Sequence, residues 1–344
     1  MTAALTVAIV GAGNIAGGYD VDRVEGDEGV YSHAGAYRAQ GGFVLETVFD
    51  PAPGRAETFR CAWGVNRVAT SFSDILDGRH DVVSLCSPDD THFACLESLL
   101  TARCCRTIFV EKPLALRLED IGQVIDLAER AGINVVCNFQ RRFEPVHGEL
   151  RRKVAENPGA LRSVTGHYMK GLHHIGVTMV DSLTWICGYP EAVLAHHRAW
   201  NGDTGDFSYE FVLFYPHYTV SVKTVDAEGA GYAFHIFELD FLFADVRSTL
   251  VDISRGLRES PVTGYAYGGI RILNDGAARR RETGYPQSMT ASAGYIHDVT
   301  SGIVPHTINT PQSSFNNALI LDGVVDSYQS GLAKLTFGSR PWKK

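Results

Sequence analysis

Through the first 140 residues, short β-branched runs alternate with helical stretches, the pattern of a parallel sheet wound with helices on both faces. The runs are Thr6 to Val10, Val44 to Phe49, Val82 to Leu85, Thr107 to Val110 and Asn134 to Asn138. Between them lie helical stretches around Ala34 to Gln40, Arg55 to Ala62, Thr91 to Ala102 and Leu118 to Ala131. Several open on Ser, Thr, Asp or Pro, which satisfy a helix's first free amides or pre-set its first turn. From about Val164 the period shortens to two, as in Tyr209 to Tyr215, Tyr218 to Val225 and Ala233 to Phe243, and predicts a mainly antiparallel sheet. A helix is expected over about Phe315 to Leu332, and a loop over the polar, glycine-rich stretch Gly18 to His33. The predicted fold class is α/β: a doubly wound domain over 1–140, then an α/β domain with a large, mainly antiparallel open sheet over 141–344.

Composition narrows the function without changing that picture. The 344 residues are enough for two domains, and 45% apolar with 20% charged residues is ordinary for a globular chain. A net charge of −8 with scattered basic residues argues against nucleic acid as a partner. No window approaches 18 consecutive apolar residues, and the first basic residue is Arg23. The expectation is therefore no membrane span, no secretory leader and a cytoplasmic protein. The cysteines at 61, 86, 95, 104, 105, 137 and 187 have neither CxxC nor zinc-type spacing and read as reduced, mostly buried thiols. The pairs His173/His174 and His196/His197 come without HExxH, and no metal is expected. Only seven lysines stand against 24 arginines, so a lysine inside a motif carries weight.

The strand Thr6 to Val10 runs straight into Gly11-Ala12-Gly13-Asn14-Ile15-Ala16, a G-x-G-x-x-A turn. In a dinucleotide site Gly11 permits the tight turn, Gly13 lets the backbone approach a pyrophosphate, and Ala16 lets helix pack on strand. The ligand-free alternative is a plain strand-to-helix turn. At the end of the next run, Asp50 would accept hydrogen bonds from an adenosine ribose and repel a 2′-phosphate, favouring NAD over NADP. It stands 39 residues beyond Gly11, a surplus that the Gly18 to His33 stretch largely absorbs. Asp50 also suits the opening of an Asp-Pro-Ala-Pro turn, and nearby Arg55 keeps NADP in view. Cys86-Ser87-Pro88-Asp89-Asp90-Thr91-His92 and Phe109-Val110-Glu111-Lys112-Pro113-Leu114 both follow predicted parallel strands, where open α/β sheets bind ligands. A lysine ammonium there can stabilise charge developing on an alcohol or ketone oxygen.

These segments, with Asn138-Phe139-Gln140-Arg141-Arg142-Phe143 and Asp181 to Gly188, resemble the Gfo/Idh/MocA family, the glucose-fructose oxidoreductase and inositol dehydrogenase relatives. The resemblance covers most of residues 5 to 190. It implies a Rossmann domain, then an α/β domain for substrate binding and oligomerisation in a homodimer or homotetramer. It also implies hydride transfer between a nicotinamide and a sugar, amino sugar, nucleotide sugar or cyclitol carbon. Cofactor contacts would come from Gly11, Gly13, Asn14, Ile15, Asp50, Ser87, Pro88, His92, Glu111, Lys112 and Pro113. Lys112 would touch the reacting hydroxyl, and the Lys112–Pro113 peptide would be cis. His92 has an equal alternative, capping its own turn. The family's D-x-G-x-H-x-x-D helix reads here from His174 to Asp181, with Thr178 in the place of the catalytic histidine. The Thr178 hydroxyl can hydrogen-bond a substrate but cannot accept a proton near pH 7, so proton transfer would pass to His174, Lys112 or water. His174 and Thr178, four apart, would share a helical face, while His173 would face away. Asp181 would orient substrate or a neighbour. Arg141, Arg142, Tyr168 and Lys170 are candidates for a polar pocket wall that would suit a phosphorylated or nucleotide-linked substrate. The other readings are a ketone or imine reductase, a redox-neutral NAD-dependent elimination or epimerisation, and a non-catalytic cofactor sensor.

Overall fold

The computed structural model describes residues 4–21, 27–202, 204–226, 235–265 and 267–338. It divides into two compact units, 1–143 with 286–315, and 144–285 with 316–342. The expected single cut at 140/141 is corrected. Residues 286–315 return to the first unit because their helix brings apolar side chains that its core lacks.

In the first unit, strands β1 (Leu5–Val10), β2 (Phe43–Phe49), β3 (Arg67–Val68), β4 (Val82–Leu85), β5 (Thr107–Val110) and β6 (Asn134–Cys137) form one parallel sheet in the order β3-β2-β1-β4-β5-β6. The strands β4 and β5 are buried along their whole length, as expected of a sheet covered on both faces. Five strands lie where the sequence pattern puts them, and β3, two residues long, has no period to reveal it. The helices are α1 (Tyr19–Val21), α2 (His33–Gln40), α3 (Pro53–Trp63), α4 (Ser73–Leu76), α5 (His92–Ala102) and α6 (Leu118–Ala131). Late in the chain, α9 (Ser288–Thr300) adds Met289, Ala293 and Ile296 to a core that holds Val7, Ile9, Tyr37, Val48, Phe109 and Val136. The predicted Gly18 to His33 loop is helical through Val21; residues 22–26 of it lie outside the described residues.

The second unit carries α7 (Pro145–Glu156), α8 (Val177–Cys187) and a sheet ordered β14-β13-β12-β11-β7-β10-β9-β8-β16, with β15 paired to β13. Its strands are β7 (Leu161–Tyr168), β8 (Ala192–Asn201), β9 (Asp206–Phe214), β10 (Thr219–Thr224), β11 (Phe237–Phe243), β12 (Val246–Val251), β13 (Gly256–Tyr265), β14 (Arg271–Leu273), β15 (Arg279–Glu282) and β16 (Leu335–Thr336). Only the β7–β10 pairing is parallel among the described residues, so the mainly antiparallel expectation holds. Of the predicted run Ala233 to Phe243, its first two residues lie outside the described residues. The predicted C-terminal helix is α10 (Pro311–Gln329), which begins in the first unit and continues into the second. None of the seven cysteines is in a disulfide; Cys86, Cys104, Cys105 and Cys137 are buried.

Candidate active site

The first unit collects its predicted residues at the carboxyl ends of four neighbouring strands, β2, β1, β4 and β5. Gly11 turns the chain with φ +89°, and a Cβ there would stand 2.7 Å from the Cys86 carbonyl oxygen. Its amide donates to Phe49 O at 2.8 Å, tying the turn to the end of β2. At Gly13 a Cβ would meet nothing within 4 Å, so the backbone there faces open space, as the close approach of a pyrophosphate requires. Asn14 is exposed beside it, and Ile15 packs half-buried on the core. Residues Asn14–Gly18 form a π-turn in which Gly18 N–H reaches Gly13 O at 3.3 Å. The third small position, Ala16, is fully buried, and Gly17 beside it has a partner that the sequence did not show: a Cβ on Gly17 would lie 2.3 Å from Trp63 Nε1.

Asp50 is buried, and both of its oxygens are engaged. Oδ2 accepts the Ala12 amide at 2.9 Å, Oδ1 accepts the Ala52 amide at 2.9 Å, and Arg55 Nη1 stands 3.5 Å from Oδ2. The carboxylate thus holds the glycine turn and its own turn together. Ser87 is half-buried and accepts a hydrogen bond from Thr91 Oγ1 at 2.7 Å; Pro88 is exposed. His92 is corrected from a cofactor contact to a fastener. The ring is fully buried, with Nδ1 2.7 Å from Pro113 O and Nε2 2.9 Å from Ser87 O, so it joins the two loops and presents no nitrogen to a ligand.

Beyond β5 the chain presents Glu111, Lys112 and Pro113, and the Lys112–Pro113 peptide is cis, as the resemblance implied. Lys112 is half-buried. Glu111 points inward, where its Oε1 lies 2.8 Å from His33 Nε2 and accepts from Asn138 Nδ2 at 2.6 Å. Burial opposes its ionisation, but His33, Asn138 and the charge of Lys112 together hold the carboxyl below its ordinary range. Its assignment as a direct cofactor contact is corrected, because these interior partners occupy it. Burial, followed by the Glu111 charge, pushes the Cys86 thiol well up, so this cysteine behind the turn stays protonated and unreactive. After β6, Arg141 is buried and Arg142 half-buried, its guanidinium 6.0 Å from the Phe139 ring centre.

In the second unit, Lys170 and Gly171 leave β7 with φ +68° and +86°, and residues Leu172–Gly176 form a second π-turn that feeds α8. The Gly176 amide reaches Gly171 O at 3.0 Å. This places His174 one turn before Thr178; His174 is exposed, Thr178 buried. Three assignments are corrected here. Tyr168 is a core residue with no exposure, whose hydroxyl donates to Tyr209 O at 3.0 Å and accepts Tyr209 N–H at 2.7 Å. Asp181 is 1% exposed and accepts from Asn317 Nδ2 at 2.7 Å, so it orients a neighbour and does not reach a ligand. His173, set aside on the sequence, takes a position of its own. Its amide donates to Asp206 Oδ2 at 2.7 Å, and its Nδ1 stands 3.3 Å from the same carboxylate. The pairing crosses from α8's leading turn to the start of β9, a contact no local spacing announces. Among the described residues no three His, Cys, Asp or Glu side chains form a metal-holding group, and no helix is long and apolar enough to cross a membrane.

Fold and turn together define a Rossmann unit of the nucleotide-binding class. Residues 5–139 match the profile of the Gfo/Idh/MocA family, described as an oxidoreductase family with an NAD-binding Rossmann fold. The chain is 31% identical over 114 residues to the NAD(+)-dependent scyllo-inositol 2-dehydrogenase of Bacillus subtilis, covering 33% of each. It is 28% identical over 218 residues to the D-glucoside 3-dehydrogenase of Escherichia coli, covering 56% of this chain and 57% of the relative. These alignments thus span from a third to just over half of the relatives' own length. A levoglucosan dehydrogenase solved with NADH and levoglucosan shares the fold, with a TM-score of 0.75 and 17% identity over 97% of this chain and 100% of that one.

Proposed function

We propose that the protein is an NAD-dependent oxidoreductase that moves a hydride between the nicotinamide and a hydroxyl-bearing carbon of a sugar, amino sugar or cyclitol. The observation that carries this reading is Lys112, held at the carboxyl end of β5 in the same unit as the open Gly13 backbone. The nicotinamide, when bound, supplies or accepts the hydride.

The chain's own residues do the rest. The Gly11–Gly13 turn takes the pyrophosphate on its backbone, and Asp50, one of whose oxygens already holds the Ala12 amide, presents its charge to the adenosine ribose. That charge favours NAD; Arg55 moderates the preference. The Lys112 ammonium donates to the reacting oxygen and stabilises the negative charge that develops there as the hydroxyl proton leaves. His174, exposed at the head of α8, is the proposed proton-exchanging group. Thr178, buried where the family pattern carries histidine, takes no part in proton transfer.

The test is absorbance at about 340 nm with NAD⁺ and NADP⁺ against inositols, sugars, amino sugars and their nucleotide-linked forms, and with NADH against the matching ketones. Turnover with one class is the expected result. Dinucleotide binding without turnover in either direction would remove the dehydrogenase reading and leave a sensor.

A further inference from the structure

Behind the Lys112 loop the first unit encloses a chain of polar side chains that the proposed reaction does not use. Tyr37 OH lies 2.6 Å from Ser84 Oγ, Ser84 Oγ 3.2 Å from His33 Nδ1, and His33 Nε2 2.8 Å from Glu111 Oε1. Tyr37, Ser84 and His33 have at most 1% exposure. With Glu111 ionised, one proton arrangement satisfies every member: Tyr37 donates to Ser84, Ser84 to Nδ1, and Nε2–H to the carboxylate. His33 is also held from outside this chain. Its ring packs on Phe109 in β5 with centres 4.3 Å apart, and the Asp20 carboxylate accepts the Tyr31 and Ser32 amides just before it.

We propose that His33 is a positioning residue for Lys112, acting through the Glu111 carboxylate that it grips. The inference rests on the oxidoreductase reading above. Glu111 is the first residue beyond β5 and Lys112 stands at the bend that follows, so a Glu111 side chain gripped from inside anchors the backbone that carries Lys112. The Glu111 amide donates to Leu85 O at 3.0 Å and holds the same residue from its backbone. The Lys112 charge also helps to hold Glu111 ionised. A carboxylate buried with a histidine stabilises a fold no better than apolar side chains of the same volume. Its place one residue from the reacting ammonium gives it a use.

The experiment is a double-mutant cycle on the full chain, with His33→Leu, Lys112→Met and the pair, and with His33→Gln as the conservative variant. His33→Leu is expected to lower kcat about 10-fold while KM for the polyol and Kd for NADH stay within about threefold. In the Lys112→Met background the same change is expected to cost less than about twofold, and His33→Gln, whose amide can still donate to Glu111, to recover most of kcat. A second readout needs no cofactor: acylation of Lys112 by a limiting amine-reactive ester in the ligand-free protein, normalised to Lys153. It is expected to accelerate at least about threefold in His33→Leu, because a Lys112 loop no longer gripped from inside gives the reagent freer access to the amine. If His33→Leu does not fold, Glu111→Gln carries the same two comparisons. Additive kcat losses, or unchanged acylation in a folded variant, would overturn the positioning role while leaving the dehydrogenase reading intact. A parent that binds dinucleotide and turns over nothing would end that reading, and this role with it.

Discussion

At the scale of single residues, the proposed chemistry rests on Lys112 and His174. Lys112→Met should lower kcat about 100-fold or more while leaving dinucleotide affinity nearly unchanged, because its charge matters where the transition state develops it. Parallel kcat measurements and NADH titrations check this; a loss within a few-fold would dismiss the assignment. His174→Ala should flatten one limb of the pH–rate profile, and an unaltered profile would remove His174 from proton transfer. The His173–Asp206 pair makes a stability prediction. Its hydrogen bond to Asp206 holds the imidazole above its ordinary value. Burial opposes ionisation of Asp206, but His173 outweighs it and holds that carboxyl low. The histidine's contribution is complete below about pH 6.5 and fades as pH rises through its folded value; the carboxylate's is present above about pH 3.9 and fades on acidification. The pair therefore matters most between those limits, although a His173 side chain 38% exposed keeps the effect small. Asp206→Asn should cost more melting temperature at about pH 5.5 than at about pH 9, and equal losses would contradict the linkage.

At the scale of elements, the two glycines of the first turn separate folding from binding. Gly11→Ala forces a Cβ to within 2.7 Å of Cys86 O at positive φ, so it should destabilise by about 2 kcal/mol or more. Gly13→Ala meets no atom within 4 Å and should melt like the parent, yet bind dinucleotide at least about tenfold more weakly, because its methyl occupies the phosphate's approach. Thermal melts and fluorescence titration distinguish the pair, and tight binding by Gly13→Ala would undo the cradle. These elements also show what a sequence displays and what it hides. The strands β1, β2, β4, β5 and β6 were legible because buried parallel strands are continuous apolar runs, and α6 because its apolar stripe has helical period. The glycine turn and the cis Lys112–Pro113 peptide were legible as motifs. What stayed hidden joins residues distant along the chain: His33 to Glu111, His92 to Pro113, Asp181 to Asn317, Tyr168 to Tyr209. Periodicity assigned Tyr168 to a strand but said nothing of which face it would bury. The π-turns at 14–18 and 172–176 insert a residue into each helical register, which no local propensity signals.

At the scale of the whole molecule, each compact unit is built from two separated stretches of chain. A fragment ending at residue 143 leaves the first core without Met289, Ala293 and Ile296. It should bind a hydrophobic dye and melt without cooperativity, whereas joining residues 286–315 to it through a flexible linker should restore a cooperative transition. Equal cooperativity in both fragments would show that α9 covers the core without completing it. The same split governs vectorial synthesis. A ribosome that has released residue 143 must add as many residues again before the closing segment of the first unit is made, on the order of ten seconds at ~5–20 residues per second. The second unit in turn awaits residues 316–342. Neither can reach its native packing while the chain is half made, so a nascent polypeptide stalled before residue 286 is a substrate for chaperones and proteases rather than a working half-enzyme.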